Sequence, residues 1–214
     1  ADMMLREDEL DYDLIKNSKI FHFGSISMTH EPSRSATLKA LSYARDNSLI
    51  ISYDPNLRPP LWQSLKEAKE IMLHGLTYTD ILKISEEELY FLTGINDFAA
   101  GSAYLRDKYA IKLIFVTLGS KGCFYRIGDH TGQQAAINVK AIDTTGAGDS
   151  FIGSVLYKII EKGTDIELLT VSEIDKIVSF ANTVAGITTT KKGAIPAIPT
   201  LKEVEEFIKS RRID

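Results

Sequence analysis

Apolar residues return along the first half of the chain in blocks of four or five, and between the blocks they recur every three or four positions. That alternation predicts strands followed by helices. The blocks at 19–24, 49–53, 80–84 and 113–116 read as buried strands, the first closed by Gly24. Between them, helical spacing runs from Pro32 and Ser33 to about Asn47, over 63–74, from Ser85 onward, and from Asp97 to about Tyr109. Ser85 stands three positions before Glu88, the spacing of a capping box. Strand then helix, repeated, predicts a parallel sheet covered by helices.

From Thr117 the rhythm changes. A tight turn over 119–122 leads to a strand at 123–127, a second turn at 128–132 and a strand at 134–139, so an antiparallel hairpin is expected at one sheet edge. Helices follow at about 148–162, 172–187 and 200–211, the last two separated by the break at 192–196. Residues 1–17 are a polar, acidic lead-in with a short helical tendency near 7–14. No repeat or linker interrupts the chain, and residues 1–214 are read as a single domain.

Composition narrows the class without naming it. The apolar share of 44% and charged share of 25% are those of an ordinary globular protein. A formal net charge of -4 gives no electrostatic reason to expect nucleic acid as partner. The single cysteine, Cys123, excludes an internal disulfide and fits a reducing cytoplasm. No long uncharged apolar run points to a membrane. The chain starts at Ala1 rather than at a methionine.

Candidate chemistry concentrates at 143–151. Gly146, Ala147 and Gly148 lead into a helix whose first amides lack partners, and such a helix mouth attracts anions. Asp149 nevertheless places a carboxylate inside this anion site. The chemical reading is a base that takes a proton from an attacking hydroxyl while the amides of 146–148 stabilise a transferring phosphoryl group. The plainer reading of Asp149 is a helix N-cap. A second candidate is the turn after the 49–53 strand, which displays Asp54, Asn56 and Arg58; the guanidinium fork suits a phosphate or a carboxylate. Glu88 is either half of its capping box or an acidic ligand. His22, His30, His74 and His130 share no ligand spacing and are read as structural or surface residues.

Taken together, Asp143-Thr144-Thr145-Gly146-Ala147-Gly148-Asp149 resembles the signature of the ribokinase-like (PfkB) carbohydrate kinases. Thr117 through Gly122 is similar to that family's nucleotide-binding turn, with Thr117, Gly119 and Gly122 as its contacts. Asn182 with Gly193 and Ala194 looks like its adenine-side wall. Asp54 through Arg58, with Leu61 and Trp62, resembles the fructokinase and ketodeoxygluconate kinase branches. Ser85 stands where the family usually has an asparagine, while Glu88 is kept.

The resemblance implies a three-layer α/β/α fold with a largely parallel sheet and an antiparallel edge. It implies ATP and a sugar as small-molecule partners, with transfer to a primary hydroxyl of a ketose or acid sugar, fructose first; 2-keto-3-deoxygluconate or another family substrate is the alternative. It further implies Mg²⁺ near Glu88, with Asp54 and Glu86 as weaker candidates, and a monovalent cation such as K⁺ near Asp143 and Thr145. A homodimer is compatible with it. The family's first βαβ unit, Gly-Gly sugar motif and β-sheet lid have no counterpart here, so this chain is expected to be the C-terminal part of a longer kinase. An isolated fragment of that kind is expected to be impaired, and a non-catalytic nucleotide-binding fragment is the reading from a different class.

Overall fold

In the computed structural model, which describes residues 2–163 and 165–210, the chain forms two compact units. One is built on residues up to Val116 with Arg126–Asp129, the other on Thr117–Tyr125 and the chain from His130 onward.

The first unit carries the strand–helix repeat. Its elements are α1 (Tyr12–Lys16), β1 (Ile20–Gly24), α2 (Ser33–Asp46), β2 (Ile50–Asp54), α3 (Leu65–Leu76), β3 (Ile81–Ser85), α4 (Glu86–Thr93), α5 (Phe98–Tyr109) and β4 (Leu113–Thr117). β1 to β4 lie side by side in chain order. β1 pairs in parallel with β2, Ile20 opposite Ile50 and Gly24 opposite Asp54, and β2 pairs in parallel with β3. Parallel pairing brings the carboxyl ends of these strands to one edge of the sheet, where α/β folds place their ligands.

The helix starts follow local chemistry. Ser64, Ser85 and Asp97 each accept a first-turn amide of α3, α4 and α5, and Gly94 ends α4 in the left-handed region. The core is formed by Met28, Leu41, Ile51, Met72, Leu76, Ile81, Leu82, Ile84 and Leu89, all buried. Tyr53 stacks on Phe23 with ring centroids 4.2 Å apart. Gly75 lets α3 approach that ring, since a Cβ there would lie 2.8 Å from it.

In the second unit the helices are α6 (Ala147–Lys162), α7 (Val171–Thr188) and α8 (Leu201–Ser210). Thr170 and Glu173 form a full capping box on α7. α6 packs on α7, and Val204 of α8 joins Val184 and Ile187 in a shared apolar cluster.

The hairpin of β5 (Cys123–Ile127) and β6 (His130–Gln134) departs from the sequence expectation. Gly128, at φ 52°, closes the turn earlier than expected, so pairing starts at His130 instead of at 134. Beyond Gln134 the backbone leaves the strand. The Gln134 and Ala135 carbonyls accept the side-chain amide of Asn182, at 3.0 and 3.1 Å, and so turn toward α7.

Among the described residues, no helix is long and apolar enough to cross a membrane.

Candidate active site

α6 begins without a side-chain cap. Its N-cap is Gly146, held at φ 79°, a conformation that glycine adopts without Cβ strain. The Ala147 amide bonds back to Thr144, and the amides of Gly148 and Asp149 take no protein acceptor among the described residues. Those two donors, together with the dipole of a 16-residue helix, make its mouth an anion cradle.

Asp149 is the third residue of that helix, not its N-cap, so the plainer reading of this side chain does not hold. Its carboxylate is exposed and makes no hydrogen bond or ion pair among the described residues. It lines a cavity of about 310 Å³, along with Ser150, Gly153, Ser154, Tyr157 and Leu201. An unpartnered carboxylate beside free amide donors can accept a proton next to bound negative charge.

Asp143 ties this turn to the 189–194 loop. Its Oδ1 accepts the Thr145 amide at 2.9 Å and the Thr145 hydroxyl at 2.7 Å, while Oδ2 accepts the Gly193 amide at 3.0 Å. The Ile142 and Asp143 amides both donate to the Thr189 carbonyl. The Thr145 hydroxyl, followed by the Gly193 and Thr145 amides, holds the Asp143 carboxyl down to about 2. A Cβ on Gly146 would lie 3.1 Å from Ala194 Cα. Gly193 and Ala194, read from sequence as a nucleotide wall, therefore stand directly beside the cradle.

Two further nucleotide candidates meet at a single peptide. Gly122 is held at φ 99°, and a Cβ there would lie 2.0 Å from the Gln134 carbonyl oxygen. Asn182 donates to that same oxygen. Asn182 is buried and its amide nitrogen is taken up by the backbone. The turn itself is closed by Leu118 donating its amide to the Gly122 carbonyl, with Gly119 at φ 57° between them, and it follows directly on Thr117 at the end of β4.

Arg58 and Glu88 belong to the first unit. Arg58 is exposed, and its guanidinium donates to the neighbouring Leu57 carbonyl at 3.1 Å. Glu88 is buried, and both its oxygens accept backbone amides: Oε1 from Leu57 at 2.7 Å, Oε2 from Ser85 at 2.8 Å. Glu88 thus completes the capping box and also reaches the turn after β2. No group of three acidic, histidine or cysteine side chains gathers to hold a metal among the described residues. Glu88, Asp143 and Thr145 each have protein hydrogen-bond partners.

One element of the site was not read from sequence. Lys83 Nζ lies 2.8 Å from Asp54 Oδ2, with the side chains only 9% and 5% exposed. Its signal was present: a lysine inside the otherwise apolar block Ile81-Leu82-Lys83-Ile84 is dragged into the interior and needs a counter-charge there. Tyr53, beside this pair, has its hydroxyl pushed well up by burial and by the Glu88 and Asp54 charges.

Parallel strands alternating with helices in the first unit, and an uncapped helix mouth carrying an unpartnered carboxylate in the second, accompany a ribokinase-like α/β fold. Residues 1–201 match the model of the pfkB family carbohydrate kinases, and the chain belongs to that family. It is 46% identical over 209 residues to probable fructokinase-4 of Arabidopsis thaliana, covering 98% of this chain and 64% of that protein. It also resembles the structure of fructokinase with bound ATP from Xylella fastidiosa, with a TM-score of 0.91, 27% identity and 99% and 68% of the two chains covered. A fructokinase double mutant from Vibrio cholerae O395, in its fructose, ADP and potassium ion bound form, superposes with a TM-score of 0.86 at 31% identity, covering 97% of this chain and 65% of that one. The chain spans less than two thirds of the length of the curated fructokinases it matches.

Proposed function

We propose that the protein to which this chain belongs is an ATP-dependent sugar kinase that phosphorylates a primary hydroxyl, with fructose as substrate. The observation that carries this is the unpartnered Asp149 carboxylate three residues into an uncapped helix mouth. Several fructokinases at 42–46% identity support the choice of sugar.

In this reading Asp149 takes the proton of the attacking hydroxyl as its oxygen bonds to the γ-phosphorus. The bond from that phosphorus to the bridging oxygen of ATP breaks, and ADP leaves with the electron pair. The Gly148 and Asp149 amides donate to the phosphoryl oxygens as charge develops on them. Gly146 allows the close approach. Asp143 holds Gly193 and Ala194 as one wall for the nucleotide, and Thr117, Gly119 and Gly122 shape another, with Asn182 fixing the backbone behind Gly122. Arg58 supplies a guanidinium for a hydroxyl-rich or anionic part of a substrate.

Mg²⁺ would travel with the ATP phosphates and offset their charge. A K⁺ ion near Asp143 would have to share a carboxylate already bonded to Thr145 and Gly193.

The test is Asp149→Asn in the whole protein. Nucleotide affinity should stay within about threefold, while kcat for fructose phosphorylation falls by about 10³-fold or more, since the base alone is removed. Turnover close to wild type would overturn the assignment.

A further inference from the structure

The turn that presents Asn56 and Arg58 is fastened at three successive points by three different elements. At its start, Asp54 is paired with Lys83 of β3. The Pro55 carbonyl accepts the Ser25 amide at 3.1 Å, and the Ser25 hydroxyl as well. The Leu57 amide donates to Glu88 at 2.7 Å. Between and after these points stand Asn56, half-buried and at φ 52°, and Arg58, whose side chain is exposed. Asparagine enters the left-handed region more readily than other side-chain-bearing residues, and here it does so between two fastened neighbours.

Glu88 is the member of this set that joins two jobs. One carboxylate oxygen closes the capping box at Ser85 and fixes the start of α4. The other reaches across to the residue before Arg58. Both are charge-assisted bonds from backbone amides, stronger than neutral ones and costly to leave unmade in a buried place. Such a carboxylate transmits the position of α4 to the turn.

We propose that Glu88 is a positioning residue that acts through Arg58: it sets the Leu57 backbone so that the Arg58 guanidinium is presented in one orientation. The proposal rests on the sugar-kinase reading for its activity readout, because Arg58 must meet a substrate for its orientation to matter.

The experiment is a double-mutant cycle in the whole protein with Glu88→Gln and Arg58→Ala, reading kcat and KM for fructose and ATP together with the Mg²⁺ dependence. Glutamine keeps the size of the side chain but cannot accept two amides on two oxygens. Glu88→Gln alone should lower kcat/KM for fructose by about 10- to 100-fold, as expected for a misplaced contact. In the Arg58→Ala background the same change should cost less than about threefold, because sites acting through one group are not additive. Half-saturation by Mg²⁺ should not move. An equal loss in both backgrounds, or a raised Mg²⁺ requirement, would overturn the proposal.

Hydrogen exchange at the Leu57 amide gives a readout that needs no activity. It should be protected in the wild type and accelerated in Glu88→Gln; unchanged exchange also overturns the proposal. If the wild-type protein phosphorylates no sugar, the kinase reading fails on its own, and Leu57 exchange still decides whether the fastening exists. Should Glu88→Gln fail to fold, Ser25→Ala removes the hydroxyl bond to the neighbouring Pro55 carbonyl, leaving only the amide bond, and is read in the same cycle. Its loss should likewise vanish when Arg58 is absent, and persistence of that loss would overturn the mechanism.

Discussion

Asp143 and Gly193, fifty positions apart in sequence, are joined by a 3.0 Å hydrogen bond from the Gly193 amide to the Asp143 carboxylate. Because the other oxygen of that carboxylate holds Thr145, one side chain fixes both the turn before α6 and the 189–194 loop beside it. Replacing it with alanine should free the 189–194 loop while leaving α6 intact. In the whole protein, Asp143→Ala is expected to raise the ATP dissociation constant by about tenfold or more, the range for loss of a charge-assisted hydrogen bond. Calorimetric titration with a non-hydrolysed ATP analogue measures it, and unchanged affinity would count against the loop's role.

The same contact predicts a pH dependence. The Asp143 carboxyl is held down to about 2 in the folded protein, against an ordinary value of 3.8. A depressed carboxyl contributes stability that is present above the unfolded value and is lost as pH falls through the folded one. Wild-type protein and Asp143→Asn should therefore differ most in melting temperature above about pH 4. The difference should shrink between there and pH 2. A gap that widens on acidification would contradict the assignment.

Gly122 is expected to tolerate no side chain. A Cβ at this position would lie 2.0 Å from the Gln134 carbonyl oxygen and would also face a backbone φ of 99°. Gly122→Ala should lose about 2 kcal/mol or more of folding stability, read as a lowered denaturant midpoint. By contrast Gly153, which faces open space, should accept alanine and gain slightly in helix propensity, by about 1 kcal/mol.

The buried pair of Lys83 and Asp54 gives an asymmetric prediction. Lys83→Met keeps the packing of β3 but removes the ammonium that faces a buried carboxylate, so a loss of about 3–5 kcal/mol is expected in chemical denaturation. Adding Asp54→Asn should restore part of that loss, because the buried negative charge is then gone. A strictly additive double mutant would show that the two groups are not coupled.

Tyr53 carries a buried hydroxyl with no hydrogen-bond partner among the described residues. Tyr53→Phe keeps the ring stacked on Phe23 and removes the orphaned group. Stability should be unchanged or rise by about 1 kcal/mol, visible as a higher melting temperature. A marked loss would mean that the hydroxyl is satisfied in solution.

Much of the architecture was legible because it rests on local rules. The apolar blocks fell within a residue or two of β1 to β4, and Ser85 with Glu88, Asp97 and Gly94 marked helix ends by their own chemistry. The 143–149 stretch was legible because two glycines and an acid at a helix mouth make sense only together. The start of β6 was misplaced because a two-residue turn and a five-residue one look alike when Gly128 and Gly132 are both present. Their difference lies in packing: Gly132 is glycine because Tyr125 lies over it, a Cβ there coming 2.3 Å from the phenol oxygen.

What the sequence determined by itself, then, is the order of elements, the family signature and the identity of Asp149 as the acid at the cradle, since each depends on neighbours within a few positions. What only the tertiary structure decided is how each carboxylate is used. Asp149 has no partner, Asp143 holds Gly193, Glu88 holds Leu57 and Asp54 holds Lys83. A carboxylate's role is set by the donors that reach it, and here most of those donors come from residues roughly 30 to 50 positions away along the chain, brought close only by folding.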